Sequence, residues 1–335
     1  MATRTNGTRK RRARTNDHSR NGAHATAPKF IDVQAQMLPA RASKHAGSLI
    51  IIGGREDKEG DKDILREVCS RIRNQKLVIA TIATSHPDEV WEEYRHLFRE
   101  LGVTSLAHLH IESRHDAFST DRLAVLDGAG AVFFTGGDQL RITSRIGGAP
   151  VCERIREIFG KGGIIAGTSA GASAVSETML VSAPSGESHK VESLQMAPGL
   201  GFLRGVIIDQ HFAERGRLGR LVGAVAQNPR LLGVGIDEDT AIVAESQGFR
   251  VIGSGAVYVV DGMRESYTNL SEEEPGEVVS VFDLRLHILS SGDHFDLDTR
   301  HPSKPEGDRA PASNGRGSAR NHRSPAESKR AEKPS

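Results

Sequence analysis

Short apolar runs alternate with amphipathic stretches along the middle of this chain. The apolar runs lie at 49–52, 77–82, 105–111, 131–134, 163–166 and 205–208. Polar, helix-compatible segments such as 88–101 separate them. Continuous apolar strands that are separated by helices are typical of a parallel sheet covered on both faces. The pattern therefore predicts an α/β fold with a mostly parallel sheet and helices on both of its faces.

The pattern changes towards the end of the apolar part of the chain. Three apolar runs at 241–244, 250–253 and 256–260 follow one another without an intervening helix. Strands joined by such short connections pair antiparallel. The sequence therefore predicts C-terminal antiparallel hairpins that finish the sheet.

Both ends of the chain lack this apolar patterning. Residues 1–45 are rich in Arg, Asn, Thr and Ala, and residues 301–335 are rich in Pro, Ser, Gly, Arg and Glu. Such segments bury too little apolar surface to offset the entropy that is lost on ordering. We therefore expect a disordered basic tail at 1–45, a single α/β domain at 46–300 and a disordered tail at 301–335.

The net charge of +1 hides a strong asymmetry along the chain. Residues 1–30 carry eight Lys and Arg against one acid, and residues 300–335 carry nine against four. The two ends thus hold about +7 and +5, which leaves about −11 for the middle of the chain. An acidic folded part attracts a cationic substrate more than a nucleic acid, so a nucleic-acid partner is not favoured.

Neither export nor membrane insertion is predicted. The basic run 9–14 is followed by polar residues rather than by the apolar segment of a signal peptide. No apolar run approaches the roughly 18 residues that a membrane span needs. The two cysteines, Cys69 and Cys152, are too few for a disulfide framework. We expect both thiols to be buried and the protein to lie in the cytoplasm, which is a reducing environment. No membrane partner is expected.

The stretch Gly-Thr-Ser-Ala-Gly at 167–171 carries the clearest chemical signal. It follows the apolar run 163–166 and opens a helix-compatible segment, which is the strand–turn–helix context of a nucleophile elbow. Glycines two positions before and after the serine fit a turn that is too tight for larger side chains. The turn presents the hydroxyl of Ser169 beside the free N–H groups of a helix N-terminus. The pattern favours an acyl-transfer hydrolase over an incidental serine in a Gly-rich turn.

A serine nucleophile needs a base, and the base needs a group that orients it. His211 is the best candidate base, because it follows the strand at 205–208 and so lies at the same sheet edge as Ser169. The orienting carboxylate is expected in the turn 237–239, where three acids follow one another. The pattern alone does not choose among these three acids.

An oxyanion hole needs backbone N–H groups near the nucleophile. Ala170, directly after Ser169, is one expected donor. Gly137 is the second, since the Gly136-Gly137 turn also follows an apolar run and glycine lets the backbone approach a substrate closely. A plain strand-to-helix turn remains the alternative interpretation of these glycines.

Three arginines, Arg215, Arg217 and Arg220, come just after His211. On a helix, positions 217 and 220 share one face. Guanidinium groups beside a hydrolase site suit bidentate binding of a carboxylate. A solvated basic helix face is the competing interpretation.

Together these segments resemble the cyanophycinases, which are serine peptidases related to the aspartyl dipeptidases. The resemblance rests on Gly-Thr-Ser-Ala-Gly-Ala at 167–172, Gly-Leu-Gly-Phe-Leu at 199–203, and Asp-Gln-His-Phe at 209–212 with its spaced arginines. Gly-Gly-Asp-Gln at 136–139 and Gly-Ile-Asp-Glu at 235–238 match as well. The likeness covers about residues 46–300, so this segment is expected to be a single serine peptidase domain, and the two tails lie outside it.

The resemblance implies a flavodoxin-like three-layer sandwich, a homodimer, and no metal or organic cofactor. It implies Ser169 as nucleophile, His211 as base and Glu238 as the orienting acid. The substrate-binding residues that it implies are Gln139, Asp209, Gln210, Arg215, Arg217 and Arg220.

The implied substrate is cyanophycin, a poly-aspartate backbone that carries arginine on each β-carboxyl group. The implied reaction releases β-aspartyl-arginine dipeptides from the chain end. Every unit of this polymer bears both a carboxylate and a guanidinium group. We expect the three arginines to hold carboxylates, and Asp209 and the acidic middle of the chain to attract guanidinium groups.

Two other interpretations stay open. A dipeptidase for small aspartyl peptides would use the same catalytic residues. The arginine cluster fits the polymer better than such small peptides, but the difference is one of degree. A non-catalytic binding protein for an acidic or arginine-rich ligand would use the same pocket. Such a protein has no need of Ser169, His211 and Glu238 together.

Overall fold

The structure, a computed structural model, describes residues 47–72, 75–182, 194–270 and 278–305. Its helices are α1 (Asp63–Ile72), α2 (Pro87–Glu100), α3 (Thr120–Val125), α4 (Gln139–Ile146), α5 (Pro150–Gly160), α6 (Ala170–Val175) and α7 (Leu218–Gln227), with a short 3-10 helix at His115–Phe118. The strands up to the elbow are β1 (Ser48–Ile52), β2 (Lys76–Ala80), β3 (Leu106–Leu109), β4 (Ala129–Phe134) and β5 (Ile164–Thr168).

The strands after the elbow form two groups along the chain. The first group is β6 (Ser176–Ser182), β7 (Gln195–Pro198), β8 (Leu203–Gln210), β9 (Leu232–Ile236), β10 (Thr240–Ala244), β11 (Gly248–Gly253) and β12 (Val257–Asp261). The second group is β13 (Tyr267–Thr268), β14 (Val281–Phe282), β15 (Arg285–Leu289), β16 (His294–Asp296) and β17 (His301–Ser303).

Nine strands form the main sheet, in the spatial order β3-β2-β4-β5-β1-β10-β11-β16-β17. The strands from β3 to β1 are parallel to one another. Those from β10 to β17 extend the sheet by antiparallel pairing. The predicted α/β class, the mostly parallel order and the C-terminal antiparallel strands are confirmed. The parallel strands all end at one edge, which is where β5 leads into α6.

Strand β1 shows why this sheet is covered on both faces. Leu49 and Ile51 lie in one apolar cluster together with side chains of α4, α5 and α6. Ile50 and Ile52 point the other way and pack with α1 and α2. All four side chains are buried, as a strand between two helical layers requires. The predicted helices on both faces of the sheet are therefore confirmed.

A second sheet, which the apolar pattern does not anticipate, has six strands in the order β15-β12-β9-β8-β6-β7. Strand β8, which the pattern assigns to the main sheet, pairs with β6 and β9 instead. Its Val206 and Ile208 join the cluster against the main sheet, whereas Ile207 packs with α7 on the outer side. A strand that is buried on both faces has the same apolar run in either sheet, so the run does not specify the sheet.

The folded part continues slightly past the expected boundary at residue 300. Strand β17 pairs antiparallel with β16, and Pro302 lies opposite Phe295. Residues 1–46 and 306–335, which hold almost all of the two expected tails, lie outside the described residues. Within the described part of the chain, no helix has both the length and the apolar character to cross a membrane.

The close packing of α6 against the main sheet requires glycine on both sides of Ser169. A side chain at Gly171 would bring its Cβ to 2.4 Å from the carbonyl oxygen of Phe134 on β4. A Cβ at Gly167 would lie 2.6 Å from the backbone of Gly171. Both distances are far shorter than van der Waals contact, so the elbow glycines are needed for this helix to lie on the sheet.

We expect Gly171→Ala to destabilise the protein by about 1–3 kcal/mol, because its methyl group overpacks against backbone that cannot move freely. Gly160→Ala is the matched control, since a Cβ at Gly160 meets nothing within 4 Å. It should be neutral or stabilising by up to about 1 kcal/mol. Urea unfolding of both variants measures the difference. Equal unfolding free energies would show that α6 does not need this close approach.

Candidate active site

Ser169 lies on the turn between β5 and α6 and adopts a strained backbone conformation. Its φ is 53° and its ψ is −109°, a region that residues other than glycine rarely occupy and that is found at functional sites. Its N–H donates to the carbonyl oxygen of Ile52 at 3.0 Å. Its own carbonyl accepts from the N–H of Ser173 at 3.1 Å and so starts helix α6. The predicted elbow geometry is therefore present, with the serine side chain half-buried.

His211 follows the last residue of β8 and reaches the serine hydroxyl. The Oγ of Ser169 lies 2.9 Å from the Nε2 of His211. The backbone of His211 is held by a hydrogen bond from its N–H to the carbonyl oxygen of Gly53 at 2.8 Å. Gly54 packs against the imidazole so closely that a Cβ there would lie 2.3 Å from the ring. The ring is thus fixed in place by the loop that follows β1.

The acid that contacts His211 is Glu238. Its Oε1 lies 2.7 Å from the Nδ1 of His211. The neighbouring acids are used elsewhere: Asp237 accepts from the N–H of Ala213 at 2.9 Å, and Asp239 accepts from the N–H of a loop residue at 2.8 Å. The three acids that the sequence left open are thereby distinguished by the direction of each side chain.

The hydrogen bonds also fix the protonation state that the site needs. A carboxylate only accepts hydrogen bonds, so Nδ1 of His211 donates to Glu238, and in the neutral ring Nε2 is then free to accept from Ser169. Burial lowers the pKa of His211, and the nearby cations Arg215 and Arg217 lower it further, while Glu238 opposes both effects. His211 is therefore neutral near pH 7 and able to act as a base.

The turn after β4 lies directly against the nucleophile. A Cβ at Gly136 would be 3.5 Å from the Cβ of Ser169 and 3.9 Å from its Oγ. Gly137 has a φ of 139°, and a side chain there would collide with the carbonyl oxygen of Ala83 at 2.4 Å. Ala170 is the first residue of α6, so its N–H has no partner within the helix. The structure thus places Ala170 directly after Ser169 and the Gly136-Gly137 turn against it, and the role of the Ala170 and Gly137 N–H groups stays a prediction.

Asp209 does not have the role that the sequence suggested. Its carboxylate is fully buried and binds Arg220 through both oxygens, with the Nε of Arg220 at 2.6 Å from Oδ2. The Nη1 of Arg217 lies 3.1 Å from Oδ1. A carboxylate enclosed by two guanidinium groups does not bind a third from a substrate. The expectation that Asp209 attracts a substrate guanidinium group is therefore wrong. Its carboxylate instead holds Arg217 and Arg220 in place.

The remaining predicted binding residues differ in what they contact. Gln210 is buried, and its Oε1 accepts from Arg217 at 3.0 Å. Gln139 is also buried, and its amide donates to the carbonyl oxygen of Leu180 at 2.8 Å. Arg215 is exposed and faces His211 closely enough to affect its pKa. Gln139 thus joins the start of α4 to strand β6, and the exposed Arg215 is accessible to a ligand.

The arginine cluster keeps a net positive charge. Burial lowers the pKa of Arg217 to about 10, an effect that Asp209 opposes. Arg217 therefore remains protonated at pH 7, and two guanidinium groups surround one carboxylate. With the exposed Arg215, this end of β8 carries a net positive charge, and carboxylate binding by the three arginines stays a prediction.

Sequence reasoning missed the loop 53–57, which we call the β1 loop. Arg55 donates to the Oε2 of Glu238 at 3.2 Å, and the buried Glu56 accepts from Thr168, the neighbour of Ser169. A signal was available, since Gly53-Gly54 directly follows an apolar run and so lies at the carboxyl edge of the sheet.

A separate polar cavity of about 1210 Å³ lies at the amino ends of β1, β4 and β5. Ser169 follows the carboxyl end of β5, so this cavity is at the opposite edge of the sheet. Arg71 and Arg250 in its wall are already paired with Glu67. Among the residues described, no three His, Cys, Asp or Glu side chains group as a metal site would. The candidate chemistry therefore lies at the carboxyl edge.

A serine on a strained strand–helix turn, with a histidine and a carboxylate in line behind it, defines the class of serine hydrolases. The sequence profile of peptidase family S51 matches residues 49–252, and the chain belongs to this family. The predicted serine-type peptidase is thereby confirmed.

Named relatives and a solved structure agree with this assignment. A protein from Synechococcus elongatus, named cyanophycinase, is 40% identical over 261 residues, which cover 77% of this chain and 81% of the relative. The cyanophycinase of Nostoc sp. is 40% identical over 285 residues, covering 81% and 95%. A crystal structure of a peptidase from an acI-B1 Actinobacterium has the same fold, with a TM-score of 0.58 and 20% identity over 75% of this chain and 96% of that one. The resemblance drawn from the motifs is confirmed.

We expect Asp209→Asn to lower the free energy of unfolding by about 3–5 kcal/mol, since two buried guanidinium groups lose their counter-charge. It should also raise KM, because Arg217 and Arg220 lose the group that positions them. Asp261→Asn is the matched control: Asp261 is buried, pairs with Arg300 at 2.6 Å and lies at the far end of the second sheet. It should destabilise without changing KM. Equal effects of both variants on KM would contradict the positioning role of Asp209.

Proposed function

We propose that this chain is a cyanophycinase, which hydrolyses a poly-aspartate chain bearing arginine on each β-carboxyl and releases β-aspartyl-arginine. The observation that carries the proposal is the hydrogen-bond chain from Ser169 through His211 to Glu238, next to a cationic cluster at the end of the same strand β8. The relatives named cyanophycinase, at 38–40% identity, support the choice of substrate.

The first half of the reaction forms an acyl-enzyme. His211 accepts the proton of Ser169 at Nε2, and the serine oxygen attacks the carbonyl carbon of a backbone amide. Negative charge develops on the carbonyl oxygen, where the N–H groups of Ala170 and Gly137 stabilise it. Glu238 stabilises the imidazolium that forms. The C–N bond then breaks, and the leaving amine takes the proton from Nε2.

The second half returns the enzyme to its starting state. A water molecule gives a proton to Nε2 of His211 and attacks the acyl carbon. The bond between that carbon and the Oγ of Ser169 breaks, and the serine oxygen recovers the proton. The product leaves as a free carboxylate, so no group other than water is consumed.

Charge placement supports a substrate that carries both signs of charge. The exposed Arg215 supplies the accessible cation, and Arg217 and Arg220, which share the one carboxylate of Asp209, add a net positive charge, which suits the free carboxylate at the end of a poly-aspartate chain. The acidic middle of the chain, at about −11 overall, supplies the long-range attraction for the arginine side groups. Asp209 takes no direct part in this attraction, because its charge is balanced internally.

The proposal includes the homodimer and the cytoplasmic location that the resemblance implies. The two cysteines of the sequence are both free thiols, Cys69 half-buried and Cys152 buried. Burial raises the pKa of both thiols, which keeps them protonated and unreactive in a reducing environment.

The pH dependence of activity should reflect the lowered pKa of His211. Only the neutral imidazole accepts a proton, so kcat/KM should rise with pH to a plateau, with a midpoint below the ordinary value of 6.5. Arg215→Gln removes a cation that lowers this pKa, so its midpoint should lie higher than in the unmodified protein. Arg99→Gln, an exposed change on α2, is the control and should leave the midpoint where it is. A midpoint above 6.5 in the unmodified protein would contradict the electrostatic description.

Ser169→Ala tests the proposal itself. Incubation with insoluble cyanophycin should clear the suspension and release β-aspartyl-arginine, and the variant should lose at least about 10³-fold in rate while still binding the polymer. Ser144→Ala, on the exposed side of α4, makes the same chemical change away from the site and should be fully active.

The substrates separate the competing functions. Cleavage of small aspartyl dipeptides without clearing of the polymer would identify a dipeptidase. Inertness towards both substrates, with polymer binding retained, would identify a binding protein.

A further inference from the structure

The β1 loop and Ile52, the last residue of β1, together contact every residue of the proposed catalytic set. The carbonyl oxygen of Ile52, just before the loop, accepts from the N–H of Ser169 at 3.0 Å, and that of Gly53 accepts from the N–H of His211 at 2.8 Å. Arg55 reaches Glu238 at 3.2 Å. A segment that touches all three groups sets their relative positions, so whatever anchors the β1 loop matters for the chemistry.

The anchor of the loop is the carboxylate of Glu56. It is 3% exposed, and each of its oxygens accepts a short hydrogen bond from a neutral hydroxyl. Thr168 Oγ1 donates to Oε2 at 2.6 Å, and the hydroxyl of Tyr94 donates to Oε1 at 2.5 Å. A buried carboxylate is costly unless its oxygens are well bonded. A buried carboxylate at Glu56, bonded to the residue before Ser169, therefore indicates that Glu56 positions its neighbours rather than contributing generally to stability.

Tyr94 provides the fixed side of this connection. Its ring lies on α2 and packs against Phe98 and Phe133 in the core, with the ring centroid 4.9 Å from that of Phe133. Burial and the neighbouring Glu56 raise the pKa of Tyr94 well above its usual range. The hydroxyl therefore stays protonated and donates to Glu56, which ties the β1 loop to a rigid helix.

Thr168 provides the side that is held. It is the last residue of β5, lies opposite Ile52 in the parallel pairing of β5 with β1, and is joined directly to Ser169. The direction of the Ser169 side chain depends on the peptide that links these two residues. Ser169 has little freedom to adjust, because its own backbone is already strained at a φ of 53°. Fixing the side chain of Thr168 therefore fixes where the serine oxygen points.

We propose that Glu56 is a positioning residue for the nucleophile: through its hydrogen bond to Thr168 it holds the end of β5 against the β1 loop and keeps Ser169 in line with His211. The inference rests on the proposed function, since it takes Ser169 as the nucleophile. It assigns Glu56 and Thr168 no contact with substrate. Losing the connection should therefore slow the chemical step and leave substrate binding unchanged.

Thr168→Val is the decisive variant, because valine keeps the β-branched shape of threonine and removes only the hydroxyl that donates to Glu56. We expect kcat to fall by roughly 10- to 100-fold with KM unchanged, as a displacement of up to 1 Å at a reacting group does. The rate at which a small fluorophosphonate labels Ser169 should fall by the same factor, since that reaction needs no substrate pocket. Thr168→Ser, which restores the hydroxyl, should recover most of the loss.

Thr81→Val is the matched control. Thr81 is also fully buried, follows the parallel strand β2 and uses its hydroxyl in a 2.7 Å hydrogen bond to His108. Its loss should lower the thermal midpoint and leave kcat and the labelling rate unchanged. Glu56→Leu and the double variant with Thr168→Val complete a cycle, in which the two losses should not add.

The outcomes separate the two proposals. If the unmodified protein is labelled at Ser169 and Thr168→Val reacts as fast as Thr81→Val, the positioning role is overturned and the nucleophile stands. If the unmodified protein is not labelled at Ser169, the proposed function is overturned, and the positioning role with it.

Discussion

The site depends on the parallel, in-register pairing of β1 with β5. This pairing sets Ile52 opposite Thr168, so the chain leaving β1 and the chain leaving β5 turn at the same level of the sheet. The turn after β5 needs a nearby acceptor for its first N–H, and Ile52 supplies it. The turn after β1 then lies against the ring of His211 at Gly54. Without this register the hydroxyl and the imidazole would not meet at 2.9 Å.

Residues placed by local chain geometry could be predicted from the sequence. The elbow could be predicted because glycine spacing and the strand–turn–helix pattern determine a local conformation. His211 could be predicted because it follows an apolar run, and strand ends meet at one edge. Both predictions use only the sequence next to Ser169 and His211. They are therefore unaffected by the finding that β8 lies in a second sheet. The carboxyl ends of β5 and β8 meet although the two strands lie in different sheets, since Ser169 and His211 directly follow them and lie in contact.

Side-chain direction and pairing partners could not be predicted in the same way. Asp237, Glu238 and Asp239 are adjacent in sequence, and their different partners follow from a turn in which Asp239 has a φ of 46°. Asp209 is an acid at a strand end, which is where a binding residue is expected. Its carboxylate is instead bound by two arginines that lie eight and eleven positions later in the sequence. Such contacts depend on how β8 and α7 pack, which composition does not encode. The resemblance to relatives identified Glu238, yet no spacing rule in this chain distinguishes it.

The charge arrangement links substrate binding to the base. Arg215 and Arg217 lower the pKa of His211 in the free protein, and they are also the groups that suit a substrate carboxylate. In the proposed function a substrate carboxylate docks on them and screens their charge from the imidazole, an effect that acts to raise the pKa of His211 in the complex. On this proposal the histidine is neutral while the pocket is empty, and screening of the two arginines by the anionic end of the substrate makes it a stronger base. Glu238, held by Arg55 on its other oxygen, keeps the ring oriented in both states.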